Sequence, residues 1–354
     1  MDFEQNNDDY SSPLPPEPPQ GPGPLPVYYP PSGPPAKRRS GWRIFFRVIF
    51  VLSIVANIIL FFMLTGLAAI FMTGYGGVLT EEVLREGPSD SKVAVISVEG
   101  IIHGPLADDV YHQLNAAGKD KHVKGLIVRV NSPGGTISGS DRIYHEIQAY
   151  KARSGKPVIA FMEGVAASGG YYASVACDKI IAEPTTITGS IGVISWWLVV
   201  QELLEDKLGI MPVTVKSGKK KDWPSSFRKP DAEELKYIEE KLIAPAFERF
   251  VSVIGEGRQG VLTIDQIRRL ADGGIYGADE ARKEKLIDDV GYLDDAINLI
   301  KSLARIADAR VVEYRKPFSF GDFLSLEKPN TLRIDRNTLY ELGTPQILYL
   351  WSAY

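Results

Sequence analysis

Ser168 stands in the stretch GVAASGGYYASVA (Gly164–Ala176), with two alanines before it and two glycines after it. Small residues on both sides leave a hydroxyl uncovered. KPVIAFMEG, just upstream, reads as a buried strand, and VAASGGYYASVA as the beginning of a helix. Ser168 therefore falls near a helix N-terminus, where the positive end of the dipole favours developing negative charge. The N–H of Gly169 is placed to donate to an oxyanion formed on attack at the serine. Without a base, the same residue would read only as an N-cap.

A serine hydroxyl becomes a nucleophile when a neighbouring group takes its proton. The four histidines, His103, His112, His122 and His145, all precede Ser168, and none is placed to serve it. They form no H-E-x-x-H pair, which excludes a zincin. A lysine is the other option. An ordinary lysine has a pKa of about 10.4, and lowering it by about three pH units costs about 4 kcal/mol. Crowding by like charge and burial both act in that direction. VKSGKKKDWPSSF gathers Lys216, Lys219, Lys220 and Lys221 after an apolar run, with Trp223 and Phe227 to supply an apolar wall. These residues alone do not choose among the four lysines, and a solvated basic loop would look the same.

A second glycine turn, NSPGGT (Asn131–Thr136), follows one apolar run and precedes a helical one. Gly134 and Gly135 allow backbone conformations closed to other residues, and outward N–H groups there suit an anion or oxyanion.

These turns need a framework. KVAVISVEGII, VKGLIVRVN, KPVIAFME, DKIIAEP and MPVTVKSG read as five strands, Ile137–Tyr150 as a helix and Asp231–Ile254 as a long one. Such alternation predicts a largely parallel sheet covered on both faces, an α/β fold. A formal net charge of −4 gives no electrostatic case for nucleic acid. One cysteine, Cys177, excludes an internal disulfide framework and a multi-cysteine metal site, and no cofactor is expected.

The N-terminal part is different in kind. Residues 1–36 hold half of the 24 prolines and predict an extended, solvated tail. From Val48 to Met72 no residue is charged, long enough for a membrane helix. Lys37, Arg38, Arg39, Arg43 and Arg47 precede it, so the positive-inside rule keeps the tail cytoplasmic and exports the rest. The expected organisation is a tail over 1–43, a single-pass signal anchor over 44–73 and a linker over 74–91. A catalytic domain follows over 92–316, and a segment over 317–354 packs at an interface or into a groove.

VNSPGGTISGSDRI, GVAASGGYYASVACDKIIAEPTTITGSIGVI and KSGKKKDWPSSFR, in this order, resemble the bacterial signal peptide peptidase family of serine–lysine membrane proteases. DGGIYGADEARKEKLIDDVGYLDDAI is similar to that family's helical segment, and the resemblance covers roughly Val93 to Ile300. It implies a Clp-protease/crotonase-like ββα superhelix. It also implies Ser168 as nucleophile and Lys221, the lysine before the aspartate, as base. Gly134 and Gly169 would form the oxyanion hole, and Ser190 would orient the lysine amine. Trp223 departs from the family pattern and bears on the substrate groove. The resemblance further implies apolar peptide substrates such as cleaved signal peptides, with small side chains beside the cut. The homo-oligomer would be ring-like, with serine and lysine from neighbouring subunits, close to membrane lipid. Two rivals are a catalytically silent scaffold of the same fold and a crotonase-type acyl-CoA enzyme.

Overall fold

A computed structural model describes residues 41–73, 79–315 and 346–351, together with Tyr28 and Gly33. It has an N-terminal unit, Met1–Leu64, and a larger one, Thr65–Tyr354. The expected proline-rich tail lies outside the described residues, those two positions apart. Helix α1 (Gly41–Thr73) begins slightly before the expected anchor. Its stretch Gly41–Leu67 is long and apolar enough to cross a membrane and is exposed throughout. At 1.5 Å per residue it measures about 40 Å, beyond a hydrocarbon core of about 30 Å.

The larger unit begins with β1 (Thr80–Arg85) and β2 (Lys92–Glu99) and passes through α2 (Gly104–Lys119) to β3 (Val123–Ser132). A short β4 (Gly134–Thr136) leads into α3 (Ile137–Ser154), then β5 (Val158–Ala167) and α4 (Gly169–Ser174). Strands β6 (Lys179–Ala182), β7 (Ile187–Gly189) and β8 (Ile194–Trp196) follow. Next come α5 (Ala232–Ile238), α6 (Ala244–Gly257), α7 (Ile264–Leu270), β9 (Ile275–Gly277) and α8 (Ala278–Lys283). The last elements are β10 (Asp289–Val290), α9 (Leu293–Ala304), β11 (Arg310–Arg315) and β12 (Gln346–Leu350).

The main sheet runs β1-β11-β2-β3-β5-β6-β10, with β7 beside β5 and β9 beside β7. All its pairings are parallel except β1 on β11 and β9 on β7. Alternate residues of the central strands feed two cores, as the pleat requires. Val93, Val95, Ile127, Ile159 and Phe161 face Ile297 and Ile300 of α9. Ala94, Ile96, Leu126, Val128 and Met162 face a larger cluster that includes Leu114, Ile143 and Phe250. The covered parallel sheet read from the sequence is present.

Three local expectations change. The segment 211–218 is no strand: Met211, Val213 and Val215 are 77%, 81% and 96% exposed, and no strand among the described residues pairs with them. An apolar run becomes a strand only where a partner satisfies its backbone. The region read as a linker contains β1, which pairs with β11 (Val83 opposite Val312). The long helix begins at its Asp231 N-cap but relaxes into one wide turn over Glu239–Ile243. Pro245, lacking an N–H, follows that turn.

Arg258 and Asp288 tie the end of α6 to β6. Arg258 donates to Asp288 Oδ2 at 2.8 Å and to the Lys285 carbonyl, while Asp288 also accepts from Ile180 N–H at 2.8 Å. Burial raises the Asp288 pKa, but the Arg258 charge and these hydrogen bonds outweigh it and hold the carboxyl below its usual range. A depressed carboxylate adds stability above its unfolded pKa of about 3.9, and loses it as pH falls through the folded value. Asp288→Asn should therefore lower stability at pH 7 by about 3 kcal/mol, because Arg258 stays buried without its counter-charge. Denaturant midpoints at pH 7 and pH 3 check this: the gap from wild type should shrink at pH 3, and an undiminished gap would refute the account.

Candidate active site

Strand register brings the site together. Ser132 of β3 lies opposite Ala166 of β5, and Ala167 lies opposite Gly189 of β7. The residues that follow, Gly134, Ser168 and Ser190, therefore leave the carboxyl ends of three adjacent strands, which in hydrogen-bonded sheets stand about 4.8 Å apart. Ser168 and Ser190 both adopt positive φ, 52° and 48°, which is costly for residues with a Cβ. Their backbones are pinned: Ser168 N–H donates to the Gly189 carbonyl at 2.7 Å, and Ser190 N–H to the Gly274 carbonyl at 2.7 Å. Ser190, expected from the resemblance to orient the lysine amine, thus follows the strand paired with the one that ends at Ser168.

Ser168 is 1% exposed and its side chain makes no capping bond, so the plain N-cap reading fails. The helix behind it, α4, has only six residues and contributes a weaker dipole than the sequence led one to expect. The available electrostatic help is local. The N–H of Gly169 has no acceptor among the described residues. Gly134, with φ of 98°, turns back beside it: a Cβ on Gly134 would lie 2.7 Å from Gly169 N. The Gly134 N–H itself donates to Ser132 Oγ at 3.1 Å, so of the two expected donors only Gly169 is free.

The tyrosines after the glycines are structural. Tyr171 donates to the Leu286 carbonyl at 2.9 Å and Tyr172 to Asp141 at 2.5 Å, and burial pushes both phenols up. Cys177 is buried, which raises its thiol pKa and leaves it unreactive. His103 caps α2, its Nδ1 accepting from Leu106 N–H at 3.1 Å.

The lysine loop separates its four members. Lys216 pairs with Asp222 at 2.6 Å, Lys219 pairs with Glu233, and Lys220 lies 4.1 Å from the Tyr237 ring centre. Lys221 has no ion pair, hydrogen bond or ring contact from its amine among the described residues, and it is exposed. Of the expected apolar wall, Trp223 packs on Tyr237 and faces Lys219 and Lys220 rather than Lys221, and Phe227 is half exposed. Sequence reasoning missed the residues that hold the loop. Fully buried Glu234 accepts from Arg228 at 2.6 Å, and Arg228 also reaches Asp222, next to Lys221. No spacing signal marks that triangle, because its members come from a loop and a helix.

A three-stranded sheet, β4-β12-β8, closes over the serine. In it β12 lies antiparallel to both neighbours, with Leu350 opposite Gly134 and Leu348 opposite Ile194. The arrangement sets an extended strand of the chain itself against the turn that carries Gly134, near a strained serine and a free N–H.

Comparison with known proteins places the chain among proteases of one family. The family model "Peptidase family S49" matches residues 150–307 and "Clp protease" matches residues 91–186. The unit has the Clp-protease-like α/β fold, with a mixed sheet. The Enterococcus faecium protein named "Putative signal peptide peptidase SppA" is 40% identical over 264 residues, 71% of this chain and 74% of that one. "Protease 4" of Haemophilus influenzae is 33% identical over 67% of this chain, which spans 39% of its length. "Serine protease SPPA, chloroplastic" of Arabidopsis thaliana is 32% identical over 72% of this chain, which spans 37% of its length. Among solved structures, ClpP1 from Listeria monocytogenes is 17% identical, with a TM-score of 0.35 over 57% of this chain and 93% of that one.

Proposed function

This chain belongs to peptidase family S49, and from that premise we propose that it is a membrane-anchored serine endopeptidase working through Ser168 and Lys221. The carrying observation is Ser168 itself: buried, held at positive φ and uncapped, with the unpaired N–H of Gly169 next in the chain. Neutral Lys221 takes the Ser168 proton as Oγ bonds to the scissile carbonyl carbon. Gly169 N–H holds the resulting oxyanion, joined by Gly134 N–H once it leaves Ser132. The carbon–nitrogen bond breaks, Lys221 returns the proton to the leaving amine, and water repeats the cycle on the ester. Ser190, just past the end of the strand beside the one that leads to Ser168, orients the lysine amine.

Lys221 is exposed and makes no bond to Ser168, which supports a site shared between subunits of a homo-oligomer, ring-like in this reading. A neighbouring copy would cover Lys221 and could bring its amine to Ser168. The exposed run of Ile210, Met211, Val213 and Val215 leading into the lysine loop gives such a neighbour an apolar surface. Substrates in this reading are apolar peptides such as cleaved signal peptides. The basic residues before α1 hold the N-terminus in the cytoplasm and place the site on the other side, near lipid.

The full chain in detergent, treated with a fluorophosphonate, tests the dyad by peptide mass mapping. A single adduct on Ser168, absent in Lys221→Ala, is the expected result. An adduct elsewhere, or equal labelling of Lys221→Ala, would overturn the assignment.

A further inference from the structure

Asp222 directly follows Lys221, an awkward neighbour for a base. A carboxylate within reach of a lysine favours the ammonium form, which has no lone pair to accept a proton. The four-carbon stem of a lysine is flexible enough to fold back toward the next residue. We propose that Lys216 and Arg228 are positioning residues that hold the Asp222 carboxylate away from the Lys221 amine, so that the amine stays free for Ser168. The inference rests on the reading of Lys221 as base and adds the groups that keep it available.

Three observations carry it. First, both oxygens of Asp222 are engaged. Lys216 Nζ donates to Oδ1 at 2.6 Å, and Arg228 Nε donates to Oδ2 at 3.5 Å. The Lys216 hydrogen bond, helped by the Arg228 contact and opposed by burial, holds the Asp222 carboxyl below its usual range. Asp222 is therefore a full negative charge at neutral pH, and its partners decide where that charge points.

Second, the arm that reaches Asp222 is anchored. Arg228 Nη1 donates to Oε2 of fully buried Glu234 at 2.6 Å, and the Glu234 N–H donates to the Asp231 cap of α5 at 2.8 Å. Lys216, Asp222, Arg228 and Glu234 thus form a closed set of two cations and two carboxylates. The other charged groups around them are also engaged: Lys219 by Glu233, Lys220 by the Tyr237 and Trp223 rings, and Lys229 by Glu202.

Third, the backbone starts the two side chains apart. Lys219–Asp222 is a tight helical turn in which Lys221 N–H donates to the Gly218 carbonyl at 3.1 Å. With three residues per turn, successive side chains leave the axis about 120° apart. The Asp222 side chain is 17% exposed, whereas Lys221 faces solvent. The lysine cluster is therefore not one block of like charge. One member, Lys216, neutralises the acid beside another.

The test follows the rate of fluorophosphonate labelling of Ser168 at pH 7, in the full chain in detergent. Rates are taken at low salt and at about 0.5 M sodium chloride, where exposed charges are screened within a few ångströms. Lys216→Gln releases one oxygen of Asp222 and should slow labelling about fivefold at low salt, the scale of one exposed ion pair formed with Lys221. High salt should recover most of that loss. Adding Asp222→Asn to Lys216→Gln should return the rate to that of Asp222→Asn alone, because the amide offers the amine no charge.

Arg228→Gln, made together with Glu234→Gln so that no charge is left buried and unpaired, should show the same loss and the same recovery. This pair covers the case in which Lys216→Gln does not fold. A loss that persists in the presence of Asp222→Asn would overturn the inference, since it would mean that Lys216 and Arg228 only shape the loop or act by their own charge. An unchanged rate in both charge-removing variants would overturn it as well. Failure of the base reading itself shows elsewhere, as equal labelling of Lys221→Ala.

Discussion

Ser168→Ala and Lys221→Ala should each lower kcat/KM for an apolar reporter peptide by about 10³-fold or more, the scale expected when a nucleophile or its base is removed. The two losses should be equal within error, because the groups act as a unit. Lys219→Ala and Lys220→Ala should change activity far less: Lys219 is engaged by Glu233, and Lys220 by Trp223 and Tyr237. The decisive arm mixes the two inactive variants after dissociation and reassembly. If serine and lysine come from neighbouring copies, random mixing pairs an intact serine with an intact lysine at about a quarter of the sites. Recovery near that level establishes shared sites. No recovery, with both variants folded and oligomeric, would place the dyad within one chain and remove the role given to the exposed Lys221.

Gly134→Ala carries the second large effect. At φ of 98° any Cβ is strained, a cost of about 1–3 kcal/mol. The new Cβ would also meet two backbone atoms, Tyr349 O at 2.0 Å and Gly169 N at 2.7 Å, neither of which can swing aside. Reporter hydrolysis should fall about 10²-fold or more, as when an oxyanion donor is displaced. Gly155→Ala is the control. It also sits at positive φ, 63°, as the cap of α3, but its Cβ would meet nothing within 4 Å. It should cost about 1–2 kcal/mol of stability by the same conformational argument and leave hydrolysis within about twofold. A similar loss of hydrolysis in both variants would mean that Gly134 matters only for folding.

Much of this arrangement is legible in the chain alone. The runs around Val93–Val98, Val123–Val130 and Val158–Met162 form parallel strands because nearly continuous apolar side chains need cover on both faces. Ser168 stands at a strand end beside glycines because a sharp exit from a sheet needs small residues. The 211–218 run reads as a strand because its apolar pattern fits one equally well whether or not a partner exists. His103 looks idle in the sequence because a cap bond depends on where a helix begins, not on the histidine.

The sequence by itself determined the membrane-length helix, the covered sheet, the serine with its glycines and the crowding of lysines, all properties of neighbouring residues and their periodicity. Only the tertiary structure decided the rest. It set Ser190 beside Ser168, left the Lys221 amine without a partner among the described residues, turned the Gly134 N–H toward Ser132, and laid β12 against the oxyanion turn. Each of these depends on hydrogen bonds and packing between segments far apart in the chain. Side-chain type permits many such pairings, and register and close approach select one.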